Sequence, residues 1–195
     1  YAYDTTIANV ALPAMQASMS ASQEQVIWVI TSYMIAGAIG TPLAGWLANR
    51  FGRRIVLTGS VGGFTLASML CGMASDLPTA VAARAIQGVA GSAMMPLGQA
   101  AVLDVTPPSE QGRTMSVLGL GMMFGPLIGP TLGGWLTESM NWRWVYFINL
   151  PLGAVSFLGL VASLPRDEQK HSLRFDMFGF LALSIFLASF QLILD

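Results

Sequence analysis

Two charged residues lie within long apolar stretches of this 195-residue chain, Asp4 near its start and Arg84 between residues 78 and 103. Desolvation penalises the charged form of a carboxylate in such a stretch, so Asp4 could bind and release a proton. Arg84 stays charged, and its insertion into lipid costs at least about 2.5 to 3.5 kcal/mol unless a partner compensates. The two residues therefore indicate proton exchange in an apolar environment.

Gln87 is well placed to be a polar partner of Arg84. Three positions separate the two residues, so on a helix they share nearly one face, and Gly88 would let a neighbouring helix approach closely. Two simpler interpretations remain open. Arg84 could be a structural residue that reaches the outer membrane interface, and Asp4 could be exposed at the end of the chain.

Residues for enzyme or metal chemistry are too few in this sequence. Cys71 is the single cysteine and lies in an apolar run, where it is interpreted as a small buried side chain. His171 is the single histidine and lies in the polar segment 165–176, where a solvated loop residue is the simplest interpretation. Because no nucleophile with a base and no set of metal ligands occurs inside an apolar stretch, we expect neither an enzyme nor a metal site.

A basic segment, Gly45-Trp-Leu-Ala-Asn-Arg-Phe-Gly-Arg-Arg54, separates two apolar stretches. Gly52 can take the positive φ that a tight turn requires. Arg50, Arg53 and Arg54 are favoured there by the C-terminal dipole of the preceding helix and by anionic lipid headgroups. The simplest interpretation is an anchor that holds this turn on the cytoplasmic side.

Glycine recurs at every fourth position from residue 121 to residue 133. On a helix this stripe forms a smooth side against which another backbone can pack closely. Two prolines bend the same helix, which a plain packing helix would not need. The residues of this segment are Gly121, Gly125, Pro126, Gly129, Pro130, Gly133 and Gly134.

The composition is that of a membrane protein, with 54% hydrophobic and 10% charged residues, whereas soluble domains carry about 25% charged residues. A helix needs about 20 apolar residues to cross a bilayer. We predict an all-α polytopic fold: a six-helix bundle over 1–164 whose first helix lacks its beginning, a cytoplasmic linker over 165–176, and the start of a seventh span over 177–195. The predicted spans are 1–18, 26–48, 55–75, 78–103, 114–136, 144–164 and 177–194.

Basic residues predict the orientation, because Lys and Arg are retained on the cytoplasmic side. Most of them fall between spans 2 and 3, 4 and 5, or 6 and 7, whereas Arg143 falls on the opposite side. These turns and the missing N-terminus are therefore expected in the cytoplasm. Trp28, Trp142, Trp144 and Tyr146 fall near outer span ends and are interpreted as interfacial anchors. A net charge of −1 gives no basic surface for nucleic acid.

Taken in order, these motifs resemble those of the major facilitator superfamily. The basic segment resembles its loop 2–3 signature, with Asn49 where Asp is usual, and Arg84-Ala-Ile-Gln-Gly-Val-Ala-Gly91 resembles its helix 4 signature. Asp4-Thr-Thr-Ile-Ala-Asn-Val-Ala-Leu-Pro13 and Arg174-Phe-Asp-Met-Phe-Gly179 resemble segments of its drug:proton antiporter family with fourteen spans. The glycine stripe resembles the helix 5 signature of exporters.

The resemblance implies roles for these residues. Asp4 would exchange protons and cationic substrate and Arg84 would tune that exchange, while Asn9 and Gln87 belong to the same two motifs. Asn49 keeps the hydrogen-bonding amide of the cytoplasmic latch but not its charge. The cytoplasmic gate would comprise Gly45, Asn49, Arg50, Gly52, Arg53 and Arg54.

The implied function is proton-coupled efflux of lipophilic, cationic drugs across the bacterial cytoplasmic membrane by alternating access, with protons as coupling ion and no other cofactor. An exporter of a metabolite, lipid or siderophore is the alternative. The implied partners are the drugs, the lipid bilayer, a C-terminal half of the same transporter and, in bacteria with two membranes, a periplasmic adaptor with an outer-membrane channel. Met94, Met95, Met122 and Met123 would suit an adaptable apolar pocket or simply fill gaps.

Positions along the spans leave open whether Asp4 and Arg84 meet. At 1.5 Å per residue, Asp4 lies about 20 Å from the outer end of its predicted helix, and Arg84 about 9 Å from the outer end of its own. The difference argues against a simple contact, although helix tilt and the long arginine side chain could close it. A direct pair is therefore a hypothesis.

Overall fold

The computed structural model describes residues 2–164 and 176–194, with side chains for Asp4, 6–164 and 176–190. All regular structure in these ranges is α-helical, which confirms the all-α prediction. The helices are α1 (Ala2–Met19), α2 (Gln23–Phe51), α3 (Arg53–Met73), α4 (Leu77–Gly91), α5 (Met94–Val105), α6 (Gln111–Ser139), α7 (Trp144–Phe147), α8 (Asn149–Ser163) and α9 (Met177–Leu194).

Several helices are long and apolar enough to cross a membrane. By length and composition, α2, α3, α6 and the α7–α8 unit each qualify within the described residues. The described apolar part of α9, Met177–Phe190, is shorter. α4 and α5 have 15 and 12 residues, so neither reaches the roughly 20 residues of a full span alone, but together they cover one.

Two predicted spans are broken where a continuous helix was expected. The span predicted over 78–103 is interrupted at Ser92 and Ala93, and the span predicted over 144–164 is interrupted at Ile148. A proline follows each break, Pro96 in α5 and Pro151 in α8. Because proline has no N–H and its ring clashes with the carbonyl four residues earlier, a continuous helix is unfavourable at both places.

Local sequence explains the helix ends that frame the bundle. Ser22 begins α2 with a capping box, in which its hydroxyl accepts from the N–H of Gln25 and the Gln25 amide accepts from the N–H of Ser22. Gly52 joins α2 to α3 with a φ of 94°, a conformation that favours glycine. At the start of α4, the N–H of Thr79 donates to Asp76 at 2.8 Å, which lowers the pKa of that exposed carboxyl group.

α4 lies at the centre of the bundle, packed between α2 and α3, while α1 packs along α6, α8 along α3 and α9 along α2. Glycines permit the closest crossings. A methyl group added at Gly88 of α4 would collide with the carbonyl oxygen of Tyr33 in α2. One added at Gly153 of α8 would meet the Thr65 side chain of α3. The bundle is therefore assembled through small residues, as expected for membrane helices.

The aromatic anchors divide into two groups. Trp28 and Trp144 are 47% and 46% exposed, but Trp142 and Tyr146 are buried at 5% and 0%. The interpretation of Trp142 and Tyr146 as interfacial anchors is therefore wrong, because the turn before α7 folds them into the core. The predicted linker over 165–176, with His171, lies outside the described residues except for its last residue.

Candidate functional site

Asp4 and Arg84 form a buried ion pair that joins α1 to α4. The Nη1 group of Arg84 donates to Oδ2 of Asp4 at 2.6 Å. The Arg84 side chain is fully buried and that of Asp4 is 2% exposed. Each charge therefore compensates the other in a region that solvent does not reach. The pair that the sequence left as a hypothesis is present in the structure.

The depth comparison that argued against this contact was misleading. A length along a helix axis equals a depth in the membrane only if the helices stand upright and end in one plane. Asp4 and Arg84 touch, so helix arrangement and the long arginine side chain together close the difference in depth.

Arg84 has a partner on each side of its guanidinium group. Its Nε donates to the carbonyl of Val29 at 3.2 Å, and its Nη1 also donates to Oε1 of Gln87 at 2.8 Å. The guanidinium lies over the ring of Tyr33, 4.0 Å from its centre, which adds a cation–π contact. Its Nη2 has no hydrogen-bond partner among the described residues. These contacts rule out the alternative of an arginine that extends to the membrane interface.

The second oxygen of Asp4 accepts from two amides. Asn149, the first residue of α8, donates from Nδ2 to Oδ1 of Asp4 at 2.8 Å, and Gln87 donates to the same oxygen at 3.4 Å. Asn149 also donates to the Ser68 hydroxyl at 2.8 Å. Ser68 in turn donates to the backbone carbonyl of Tyr146 at 2.9 Å. The carboxylate therefore receives donors from α4 and α8, and a hydrogen-bonded chain continues to α3 and α7.

Sequence reasoning missed Asn149 and Ser68. Asn149 carried a usable signal, since it is an amide inside an apolar stretch, as Gln87 is. Its position among aromatic residues near a predicted span end concealed that signal. Ser68 carried none, because small polar residues are common in membrane helices and only the tertiary contact distinguishes this one.

Asn9 does not join this cluster. It lies on an exposed face of α1, whereas Asp4, Ile7 and Ala8 of the same helix are buried. Asn9 is five residues from Asp4, which places it on another side of the helix. No contact with the ion pair therefore supports the predicted role of Asn9 in coupling.

The glycine stripe of α6 packs against α1 beside the ion pair. A methyl group added at Gly129 would lie 2.5 Å from the Thr6 hydroxyl, and one added at Gly133 would lie 3.2 Å from the carbonyl oxygen of Ile7. At Gly134 the nearest atom would be at 3.9 Å, and at Gly121 the space is open. The close approach expected of the stripe is therefore made by its second half. Pro126 and Pro130 lie inside α6 without ending it.

Two apolar cavities lie between the helices of the bundle. One of about 270 Å³ lies between α1, α6 and the α7–α8 unit and is lined in part by Ile7 and Met122. Another of about 390 Å³ lies between α3, α5, α6 and α8 and is lined in part by Met94, Met95 and Met122. Met122 thus lines both cavities, whereas Met123 is 71% exposed. Methionine is a flexible lining for a cavity that must adapt its shape.

The predicted gate segment lies at the end of the bundle where α2, α3 and α5 terminate or begin. Arg53 forms an ion pair with Asp104 of α5, and Nη2 of Arg54 donates to the carbonyl of Val161 in α8 at 2.6 Å. Asn49 and Arg50 are exposed, and the Arg50 guanidinium lies 5.4 Å from the centre of the Trp46 ring. Gly45 is exposed with open space around it.

Comparison with protein families gives one match over almost the whole chain. The family described as Major Facilitator Superfamily matches residues 1–193. The MdtD protein of Yersinia enterocolitica is 39% identical over 192 residues, which cover 98% of this chain and 41% of that protein. The Multidrug resistance protein B homolog of Mycobacterium tuberculosis H37Rv is 40% identical over 187 residues, which cover 96% of this chain and 35% of that protein. The chain thus spans about two fifths of the length of these relatives.

Solved structures share the fold at low sequence identity. The xylose transporter XylE of E. coli, in a partially occluded inward-open conformation, matches with a TM-score of 0.72 and 20% identity over 85% of this chain and 45% of that one. The human organic anion transporter MFSD10 matches with a TM-score of 0.69 and 18% identity over 96% of this chain and 51% of that one.

Proposed function

Because the chain belongs to the major facilitator superfamily, a family of membrane transporters rather than enzymes, we propose that it is the N-terminal half of a proton-coupled exporter of lipophilic, cationic drugs. The exporter works by alternating access, in which this bundle rocks against a second bundle contributed by the C-terminal half. Its place is the bacterial cytoplasmic membrane. The relatives from Yersinia and Mycobacterium support a bacterial drug exporter.

The buried pair of Asp4 and Arg84 is the observation that carries this proposal. A proton that binds Asp4 removes one charge of the pair and weakens the link between α1 and α4. Arg84 is then left with Gln87, Val29 and the Tyr33 ring as partners. Protonation therefore changes the contacts that hold two helices together, which is what a proton-driven transporter requires.

The substrate class follows from the surroundings of the pair. The apolar cavity lined by Ile7 lies one helical turn from Asp4, so a lipophilic molecule in that cavity would lie near the carboxylate. A positive charge on that molecule would compete with Arg84 for Asp4. We propose that a proton and a cationic drug exchange at this carboxylate, and neutral or anionic metabolites are poor candidates for such a site.

The gate segment is proposed to close the cytoplasmic side together with the C-terminal half. Arg53 and Arg54 already have partners within this bundle, whereas Asn49 and Arg50 are exposed and available to a second bundle. Asn49 would contribute a hydrogen bond without charge. We accordingly propose that the turns between α2 and α3 and between α5 and α6 lie in the cytoplasm, as their arginines favour.

Gly129 and Gly133 are proposed to support the same cycle, because their contact with α1 keeps the helix that carries Asp4 close to α6. Pro126 and Pro130 keep α6 free to bend. A periplasmic adaptor and an outer-membrane channel are proposed as further partners in bacteria with two membranes.

The test uses the full-length transporter expressed in a host that lacks its own drug pumps. Ethidium efflux is measured with the native protein, with Asp4→Asn, and with Asp76→Asn as a matched control, since Asn also caps a helix well and Asp76 is exposed. We expect efflux to be lost in Asp4→Asn and kept in Asp76→Asn. Unchanged efflux in Asp4→Asn would remove Asp4 from the mechanism. Export of a metabolite, lipid or siderophore but not of ethidium would favour the alternative substrate class.

A further inference from the structure

We propose that Asn149 is a positioning residue that sets the proton affinity of Asp4 and links its protonation to α7 and α8. This inference rests on the proposed role of Asp4 and adds a residue from a separate part of the chain. Asn149 is 2% exposed and touches the carboxylate directly.

Both N–H groups of the Asn149 amide are in use. One donates to Oδ1 of Asp4 and the other to the Ser68 hydroxyl, each at 2.8 Å. Ser68 donates its own hydrogen to the carbonyl of Tyr146, so it has only lone pairs to offer Asn149. The amide is therefore oriented with its nitrogen toward both neighbours. If it were reversed, its oxygen would face the carboxylate and the bond to Ser68 would be lost.

A donor in this position favours the charged form of Asp4. Oδ2 of Asp4 is held by Arg84, and Oδ1 is held mainly by Asn149, because the Gln87 amide is farther away at 3.4 Å. Hydrogen bonds to a charged group are the strong ones and weaken when the charge is neutralised. When Asp4 takes up a proton, the bond from Asn149 is therefore weakened together with the bond from Arg84.

The location of Asn149 allows this change to reach other helices. It begins α8 directly after the break at Ile148, so α7 and α8 are joined there by a residue outside regular helix. The chain from Asn149 through Ser68 ends on the backbone of Tyr146 in α7. Loss of the bond to Asp4 thus releases one side of a junction where the helix is already interrupted.

Few other groups near Asp4 carry charge. Among the described side chains, Arg84 of α4 holds Asp4 directly, and Cys71 of α3 and Tyr146 of α7 lie near enough to interact with its charge. Tyr33 of α2 lies against the Arg84 guanidinium. Tyrosine and cysteine are neutral near pH 7 in their ordinary state. A substitution of Asn149 by a neutral residue leaves all these charges in place, so a shift in pH dependence reports the lost donor.

The test measures ethidium transport by the full-length transporter in proteoliposomes as a function of pH. Asn149→Leu keeps the size of the side chain but has no donor, and we expect its midpoint to move up by about 1 pH unit, or tenfold in proton concentration. If Asn149→Leu fails to fold, Asn149→Asp serves instead, because it keeps the shape of the side chain. It places a second carboxylate beside Asp4 and should also move the midpoint up. Asn149→Gln should move the midpoint back toward the native value.

Two controls separate this effect from general damage. Ser68→Ala removes the group that orients the amide and should move the midpoint in the same direction by a smaller amount. Gln23→Leu removes an exposed amide in the first turn of α2 and should leave the midpoint unchanged. An unchanged midpoint in both Asn149→Leu and Asn149→Asp overturns the inference while leaving the role of Asp4 intact. Proton-coupled transport by Asp4→Asn overturns the inference and the proposed function together.

Discussion

The Nη1 group of Arg84 lies 2.6 Å from Oδ2 of Asp4, although 80 residues separate the two in the chain. Neither side chain reaches solvent, so each charge depends on the other for compensation. A buried pair adds little net stability, since the cost of desolvation offsets the attraction, but removal of one partner leaves an unpaired charge and costs about 3 to 5 kcal/mol. The loss of either charge therefore destabilises the contact between α1 and α4.

The first prediction concerns the coupling of the two charges. Arg84→Gln and Asp4→Asn should each lower the melting temperature of the purified full-length transporter, because each leaves one buried charge unpaired. The double variant should lose less stability than the sum of the two single losses, since no unpaired charge remains. Thermal denaturation of all four proteins measures this difference. Strictly additive losses would show that the two residues do not stabilise one another.

Gly129 and Gly121 test the contact between α1 and α6. Gly129→Ala adds a methyl group 2.5 Å from the Thr6 hydroxyl, whereas Gly121→Ala adds one in open space. We expect Gly129→Ala to destabilise the protein by about 1 to 3 kcal/mol through overpacking and to reduce ethidium efflux. The same change at Gly121 should leave the free energy of unfolding unchanged or raise it slightly, because alanine favours helix over glycine. Equal effects of the two substitutions would argue against a close packing of α1 on Gly129.

The ion pair of Arg53 and Asp104 is predicted to matter for gating more than for stability. Their side chains are 49% and 59% exposed, and exposed pairs contribute about 0 to 1 kcal/mol. Arg53→Gln should therefore barely change the melting temperature but should slow ethidium efflux. Exchange of the two charges, Arg53→Asp with Asp104→Arg, should restore efflux. A large loss of stability, or no recovery in the exchanged protein, would contradict this prediction.

Cysteine labelling can test the orientation of the bundle. Cys71 is 1% exposed, so it should not react with a membrane-impermeant maleimide in intact cells. Asn141→Cys, in the exposed turn before α7, should be labelled in intact cells. Ser109→Cys, in the exposed turn before α6, should be labelled only after the membrane is made permeable. The reverse pattern would place the arginine-rich turns outside the cytoplasm.

Much of the site could be predicted from the sequence because charge and amide groups are rare inside apolar stretches. Asp4, Arg84 and Gln87 were found in that way, and the structure places all three in one cluster. Asn149 was missed although an amide in an apolar stretch is a usable signal, whereas the importance of Ser68 arises only when α3 meets α8. Asn9 was included through its motif, although its side of α1 is exposed.

The sequence predicts where the apolar helices lie along the chain but not how they pack. The positions of Pro96 and Pro151 were visible, yet both spans were predicted as continuous. The depth comparison for Asp4 and Arg84 misled because tilt and relative height of helices depend on tertiary packing. A sequence gives distance along each helix, whereas contact depends on how the helices are arranged.

Exchange of protons for drug in a defined membrane tests the role of the ion pair most directly. The purified full-length transporter is placed in proteoliposomes that contain a pH-sensitive dye, and an ethidium gradient is imposed without a pH gradient. The native protein should drive protons against the ethidium flow, and Asp4→Asn should move no protons. Proton movement by Asp4→Asn equal to that of the native protein would contradict the proposal that the pair of Asp4 and Arg84 couples the two fluxes.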